Sequence, residues 1–150
     1  MPAVNAHVDR ASLERVQAQL RQLDRSASSA LRVTSTSIAG DVADGINRGF
    51  LMAGAPQAHR FASSARPKPD RIPTVRVGGR KREGGFVNGM AVLNAVNYGS
   101  RLKRFHTAPN SSGTVVEPAV RRLTPAAFKK WSATVDRLVH AFNRGGGTSG

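Results

Sequence analysis

Two short basic clusters carry the chemistry this sequence offers, Arg80-Lys81-Arg82 and Arg101-Leu102-Lys103-Arg104. Cationic groups at that spacing repel one another unless an anion compensates them. Residues 71–110 hold 8 basic side chains against 1 acidic one, and so carry half of the chain's net charge of +14. Arg80, Lys81, Arg82, Arg101, Lys103 and Arg104 are therefore candidate contacts for DNA or for an acidic protein partner. A DNA contact of this kind runs through phosphates and is indifferent to sequence. A third reading stays open beside these two, that both clusters are simply solvated loops.

Other chemistries do not assemble. The four histidines are scattered, and His140 follows Asp136 by four residues, the spacing of a structural helix pair rather than a catalytic dyad. Beyond residue 70 the only acids are Glu83, Glu117 and Asp136, too few for an acid–base pair or a divalent-metal cage. Gly78-Gly79-Arg80-Lys81 lacks the Gly-Lys-Ser/Thr ending of a phosphate-binding loop. Cysteine is absent, which removes disulfides, thiolate chemistry and cysteine zinc sites. The expectation is a protein that is not an enzyme and uses no metal or cofactor. No apolar run approaches the roughly 20 residues that span a bilayer. Met1 to Asn5 has neither the basic start nor the apolar stretch of a signal peptide, so a cytoplasmic site of synthesis is expected. Membrane-surface binding by the first helix is disfavoured, because Glu14 and Asp24 lie among its arginines.

The elements that must position the clusters read as one domain over 1–150, with ordered core and arms over 8–144 and a flexible glycine-rich tail over 145–150. Aromatic residues make up only 5% of the chain, so the core must be mainly aliphatic. Leu13, Val16, Leu20, Leu23, Ala27 and Ala30 step by threes and fours, as a helical seam does, and Ile38, Val42 and Ile46 continue the stripe. Asp9 or Ser12 can cap its start. A helix over 12–48 would be about 55 Å long, with Gly40 and the Thr34–Ser37 run as the expected site of a bend. Gly54, Pro56, Pro67 and Pro69 predict a loop or extended arm over 54–70. Thr74 to Val77 alternates as a strand. Residues 78–85 read as a flexible basic loop between glycine pairs. Phe86 to Tyr98 fits a strand or a helix.

Towards the C-terminus, Glu117 to Leu123 reads as a short helix, and Thr124-Pro125 as the cap and first position of the next. There Phe128, Trp131, Val135, Leu138 and Phe142 repeat the three-four spacing. Leu13, Leu20, Leu23, Trp131, Leu138 and Phe142 are the expected helical core. The fold class is α+β, with a long N-terminal helix, a small antiparallel sheet over about 72–98 and a C-terminal amphipathic helix.

The order of these parts resembles the tail-completion (minor tail component) family of long-tailed bacteriophage necks. The residues that carry the resemblance are Val75-Arg76-Val77-Gly78, then Val96-Asn97-Tyr98-Gly99-Ser100, then Thr114-Val115-Val116-Glu117-Pro118-Ala119-Val120. Asn97 stands where the family usually has an acid, and Thr114-Val115-Val116 where it has Pro-Phe-Leu. The resemblance implies a ring-forming subunit, usually a six-fold homo-oligomer (a hexameric ring), at the joint between head connector and tail tube. It implies no catalytic residue and no cofactor, and a channel for the genome. Tyr98, Gly99 and Pro118 would shape its turns. The expected location is the virion neck, after assembly in the host cytoplasm. A different class stays open beside it, a small basic nucleic-acid-binding protein. No base-stacking aromatic strand and no helix-turn-helix supports that alternative.

Overall fold

The computed structural model describes residues 10–70, 72–100 and 113–145. One helix, α1 (Arg10–Met52), runs unbroken through Gly40 and the Ser/Thr stretch for about 65 Å. The expected bend is absent because the hydroxyls there are used without breaking the helix. Thr36 donates to the Arg32 carbonyl at 2.9 Å, and Thr34 shares a 2.9 Å hydrogen bond with Thr134. Ser35 is fully buried. Thr34 and Ser37 thus lie on the side of α1 where small polar residues let another helix approach.

That other helix is α3 (Val116–Gly145), which lies antiparallel to α1. Thr34 meets Thr134, and Asp41 pairs with Lys130 at 2.7 Å. Leu123 and Val115 fill the space beside Gly45 and Gly49, where added side chains would collide with them. Thr134 lies eleven residues before the end of α3. By the same pairing, α1 before about residue 23 has no helix alongside it among the described residues.

Between the two helices the chain builds a small cap. A 3-10 turn (Ala58–Phe61) leads to β1 (Ala65–Lys68), which pairs antiparallel with β2 (Thr74–Val77) in the register Ala65↔Val77. The asparagine Asn47 of α1 ties the hairpin down: its side-chain amide donates to the Ala65 carbonyl and accepts from the Ala65 N–H, at 3.0 and 2.9 Å. Then come a 3-10 turn (Glu83–Gly85) and α2 (Gly89–Tyr98). The core lies where α1, the hairpin and α2 meet, with Ile46, Phe50, Phe61, Leu93, Val96 and Val115 buried in it. The rings of Phe50, Phe61 and Phe86 follow one another at 5.9 and 6.0 Å.

The α+β class holds, with a long N-terminal helix, a two-stranded antiparallel sheet and a C-terminal helix. Besides the absent bend, four expectations are corrected within it. The sheet occupies 65–68 and 74–77 rather than 72–98, because the proline-rich arm supplies its first strand. Residues 89–98 are helical: the positions they bury, Gly89, Leu93, Val96 and Asn97, step as a helix does. Pro125 lies inside α3 rather than starting a new helix. It withholds an N–H from the Arg121 carbonyl at an exposed position, where water can serve instead. Contacts to α1 on both sides of it, from Leu123 and Lys130, hold the helix in line.

The fourth correction concerns the helical core. Phe128, Trp131, Val139 and Phe142 are 70%, 36%, 52% and 50% exposed, and Leu20 is 49% exposed. Leu23 and Leu138 are half-buried, and the side chain of Leu13 lies outside the described part. The three-four spacing on α3 is real, but the helix is turned so that Ala119, Leu123, Ala127 and Thr134 face α1. Small residues on both helices permit a closer approach than aromatic rings would. Leu20 lies on the stretch of α1 that α3 does not reach. The tail beyond Gly145 and the capping candidate Asp9 lie outside the described residues.

Candidate anion-binding site

The basic cluster Arg80-Lys81-Arg82 follows β2 directly, and the hairpin brings more charge to it. Register places Arg66 of β1 opposite Arg76 of β2. Like charges across a ladder repel, and the two side chains part. Arg66 Nη2 donates to the Gly78 carbonyl at 2.7 Å and lies 3.8 Å from the Glu83 carboxylate. The Arg76 guanidinium occupies the space that a side chain at Gly79 would need. Gly78 and Gly79 have φ of 75° and 89°, a backbone that glycine adopts at least cost, and they turn the chain from the strand into the cluster.

Glu83 holds the cluster in place. It is 1% exposed, and its carboxylate accepts the Arg80 backbone N–H at 2.9 Å. A carboxylate this deep needs donors and a counter-charge, and Arg80 and Arg66 supply them. The backbone of the cluster is therefore pinned, while the side chains of Arg80, Lys81 and Arg82 remain exposed. Close by, the Arg60 guanidinium sits 4.8 Å over the ring of Phe86. The result is a fixed cationic surface with many N–H donors, suited to anions that span several contacts.

Arg80, Lys81 and Arg82 are thus brought together with Arg60, Arg66 and Arg76. Arg101, Lys103 and Arg104 lie outside the described residues. The sequence reading missed Arg60, Arg66, Arg76 and Glu83 as parts of this site. The signal for Glu83 was available, since it is the only acid in residues 71–110. The expected helix pair of Asp136 and His140 forms no ion pair.

No group of three or more His, Cys, Asp or Glu among the described residues could hold a metal ion. No helix of the described residues is long and apolar enough to cross a membrane. A groove of about 640 Å³ lies between α1 and α3, floored by Ile38, Val42, Leu123 and alanines and edged by Asp41, Arg48, Lys129 and Lys130. No family model, no curated protein and no solved structure matches this chain.

Proposed function

We propose that the chain is a structural virion protein of a long-tailed bacteriophage: a subunit of the ring at the head–tail joint, of the tail-completion kind, enclosing a channel for the genome. The observation that carries this reading is the exposed apolar face of α3, where Phe128, Trp131, Val139 and Phe142 stand in one row. Contiguous apolar surface of this kind marks a protein–protein contact. A subunit that completes its burial in an assembly needs such a face, and an isolated soluble domain does not.

A second feature supports it. Two of the three segments that carry the family resemblance, Val96–Ser100 and Thr114–Val120, meet in space. The side-chain oxygen of buried Asn97 accepts the N–H groups of Val115 and Val116 at 3.1 and 3.0 Å, and so caps the start of α3. Thr114 donates its hydroxyl to the Asn97 carbonyl at 3.1 Å. The motif residues thus form one junction rather than two separate turns. On this reading the partners are further copies of the chain, the head connector and the tail tube. The pinned cluster at 80–82 faces passing DNA or an acidic neighbouring ring.

The second reading, a basic nucleic-acid binder that works without tail partners, is favoured by the convergence of Arg60, Arg66, Arg76 and the 80–82 cluster around one hairpin. The two are separated by measuring the mass of the purified protein alone, with neck and tail proteins, and with arbitrary DNA across a salt series. A closed ring, alone or with tail partners, supports the neck subunit. A monomer or dimer that ignores those partners and binds DNA with steep salt dependence overturns it.

A further inference from the structure

The two faces of the hairpin differ completely. Register pairs Arg66 with Arg76 and Lys68 with Thr74, so these four side chains share one face of the ladder. The other face, with Ala65, Val75 and Val77, packs on the core. A like-charged pair directly across a ladder costs stability. Arg66 is compensated by the Gly78 carbonyl at 2.7 Å and the Glu83 carboxylate at 3.8 Å. Arg76 is not. It is exposed on the face away from the core, so packing does not offset the repulsion, and it forms no ion pair among the described residues. Lys68 is exposed and unpaired in the same sense. Residues 58–86 hold 8 basic and 2 acidic side chains. Of the two acids, Glu83 is buried and spent on Arg80 and Arg66, and Asp70 is already engaged. The compensating anion must come from outside the described residues.

We infer that the outer face of the hairpin, with Arg80–Arg82 at its end, binds the phosphate backbone of double-stranded nucleic acid, Arg76 and Lys68 each neutralising one phosphate. The cations form a track rather than a pocket. Arg66 and Lys68, two residues apart on a strand, are about 7 Å apart, a separation that suits neighbouring phosphates of one nucleic-acid chain. The Arg76 guanidinium lies over Gly79 and so continues the track from the ladder to the 80–82 cluster. An extended polyanion fits such a track better than a small anion does.

The composition of the face favours nucleic acid over an acidic protein. Protein contacts centre on apolar or aromatic anchors and keep their charge at the rim, whereas protein–nucleic acid contacts are more polar and more cationic. The four side chains of this face include no such anchor. They include no aromatic ring on which an unpaired base would stack either, which favours a duplex over a single strand. This names the ligand of the site described above, and it rests on the proposed function only in taking that site for an anion contact.

The test uses the full-length protein and a labelled DNA duplex of arbitrary sequence, several helical turns long, with affinity measured by anisotropy between about 50 and 200 mM salt. Arg76→Gln and Lys68→Gln should each flatten the plot of log affinity against log salt by about 0.9, which narrows the gap to the wild type about 3.5-fold across that range. Arg144→Gln removes the same charge from the far end of α3 and should leave the slope in place. Arg76→Gln also relieves the pair with Arg66, so the Tm of the free protein should be no lower than that of the wild type. Unlabelled single strand of the same length and polyglutamate of equal total charge should each displace the duplex less readily than unlabelled duplex does. An unchanged slope for either hairpin variant, the same flattening in Arg144→Gln, or a lowered Tm for Arg76→Gln overturns the contact. Equal displacement by polyglutamate overturns it in favour of an acidic protein, and equal displacement by single strand overturns the choice of a duplex. Native mass reads assembly separately. A ring without the slope losses leaves the neck reading standing and removes this contact; slope losses in a protein that stays monomeric with neck proteins support this contact and remove the ring.

Discussion

Replacing Glu83 with glutamine tests whether a buried carboxylate anchors the basic cluster. The substitution keeps the volume and removes the charge. In the wild type one carboxylate oxygen receives the Arg80 N–H at 2.9 Å and stands 3.8 Å from Arg66 Nη2. An amide can still accept one hydrogen bond, but it turns an NH2 group towards neighbouring donors. Losing one partner of a buried ion pair costs about 3–5 kcal/mol. Two features lower that figure here: the Arg66 side chain is 33% exposed, so solvent screens it, and 3.8 Å is long for a direct contact. A hydrogen bond to a charged group contributes about 1.5–3 kcal/mol. The expected loss is therefore about 2 kcal/mol, or about 4–8 °C in Tm for a chain of this size. Urea unfolding should show a lower midpoint with an unchanged m-value. Glu117→Gln is the control. Glu117 pairs with Arg121 in an exposed i,i+4 bridge at 2.6 Å, and its loss should cost no more than about 0.5 kcal/mol. Equal, small effects of the two substitutions would refute the anchoring role of Glu83.

Other substitutions probe the corrected core and the site. Phe61→Ala should cost about 3–5 kcal/mol, while Phe128→Ala, at a ring 70% exposed, should cost less than about 1 kcal/mol in the isolated subunit; comparable losses in denaturant titrations would mean that the α3 seam is buried after all. Pro125→Ala should raise stability by about 1–3 kcal/mol, because it restores a helix hydrogen bond at an exposed site, and an unchanged or lowered Tm would count against a continuous α3. Replacing Arg80, Lys81 and Arg82 together with serine should leave the melting curve in place. Where the protein binds DNA, the same change should flatten the plot of log affinity against log salt by about 0.9 for each phosphate that is no longer neutralised; an unaltered slope would remove the cluster from the interface.

Residue periodicity showed helix on either side of the Thr34–Ser37 run and of Pro125, but not that α1 and α3 each continue through these positions. It showed β2 as well, because Thr74–Val77 alternates. Periodicity could not show which side of α3 faces inward. Large apolar residues ordinarily mark the buried side, but Gly45, Gly49 and the Thr34–Ser37 run of α1 reward close approach by small residues instead, which leaves the aromatic row outside. β1 was hidden by its prolines: Pro67 is compatible with a strand only at a sheet edge, and a two-stranded sheet consists of edges. Half of the candidate site, Arg80 to Arg82, was legible as charge. Arg60 and Arg66 were not, because only the fold of the proline-rich arm brings them there. The ambiguity of 86–98 lay in a pattern that fitted both periods; the positions buried over 89–98, Gly89, Leu93, Val96 and Asn97, are those of a helix.

The pairing of Thr34 with Thr134 spans 100 positions of the chain. Most of the surface that α1 buries against a helix is supplied by the thirty residues of α3, so most of the chain must be made before α1 acquires its long partner. Closing so long a loop costs chain entropy before any packing repays it, and folds dominated by such distant contacts form slowly. The cap built from residues 58–98 closes earlier on the C-terminal half of α1 and shortens the remaining search, since it brings the start of α3 to Gly49. The stretch of α1 that precedes Ile38 must wait as a nearly bare helix. A nascent chain stopped before α3 would thus expose an unpaired helix face, and a full-length chain would zip from Val115 towards Gly145.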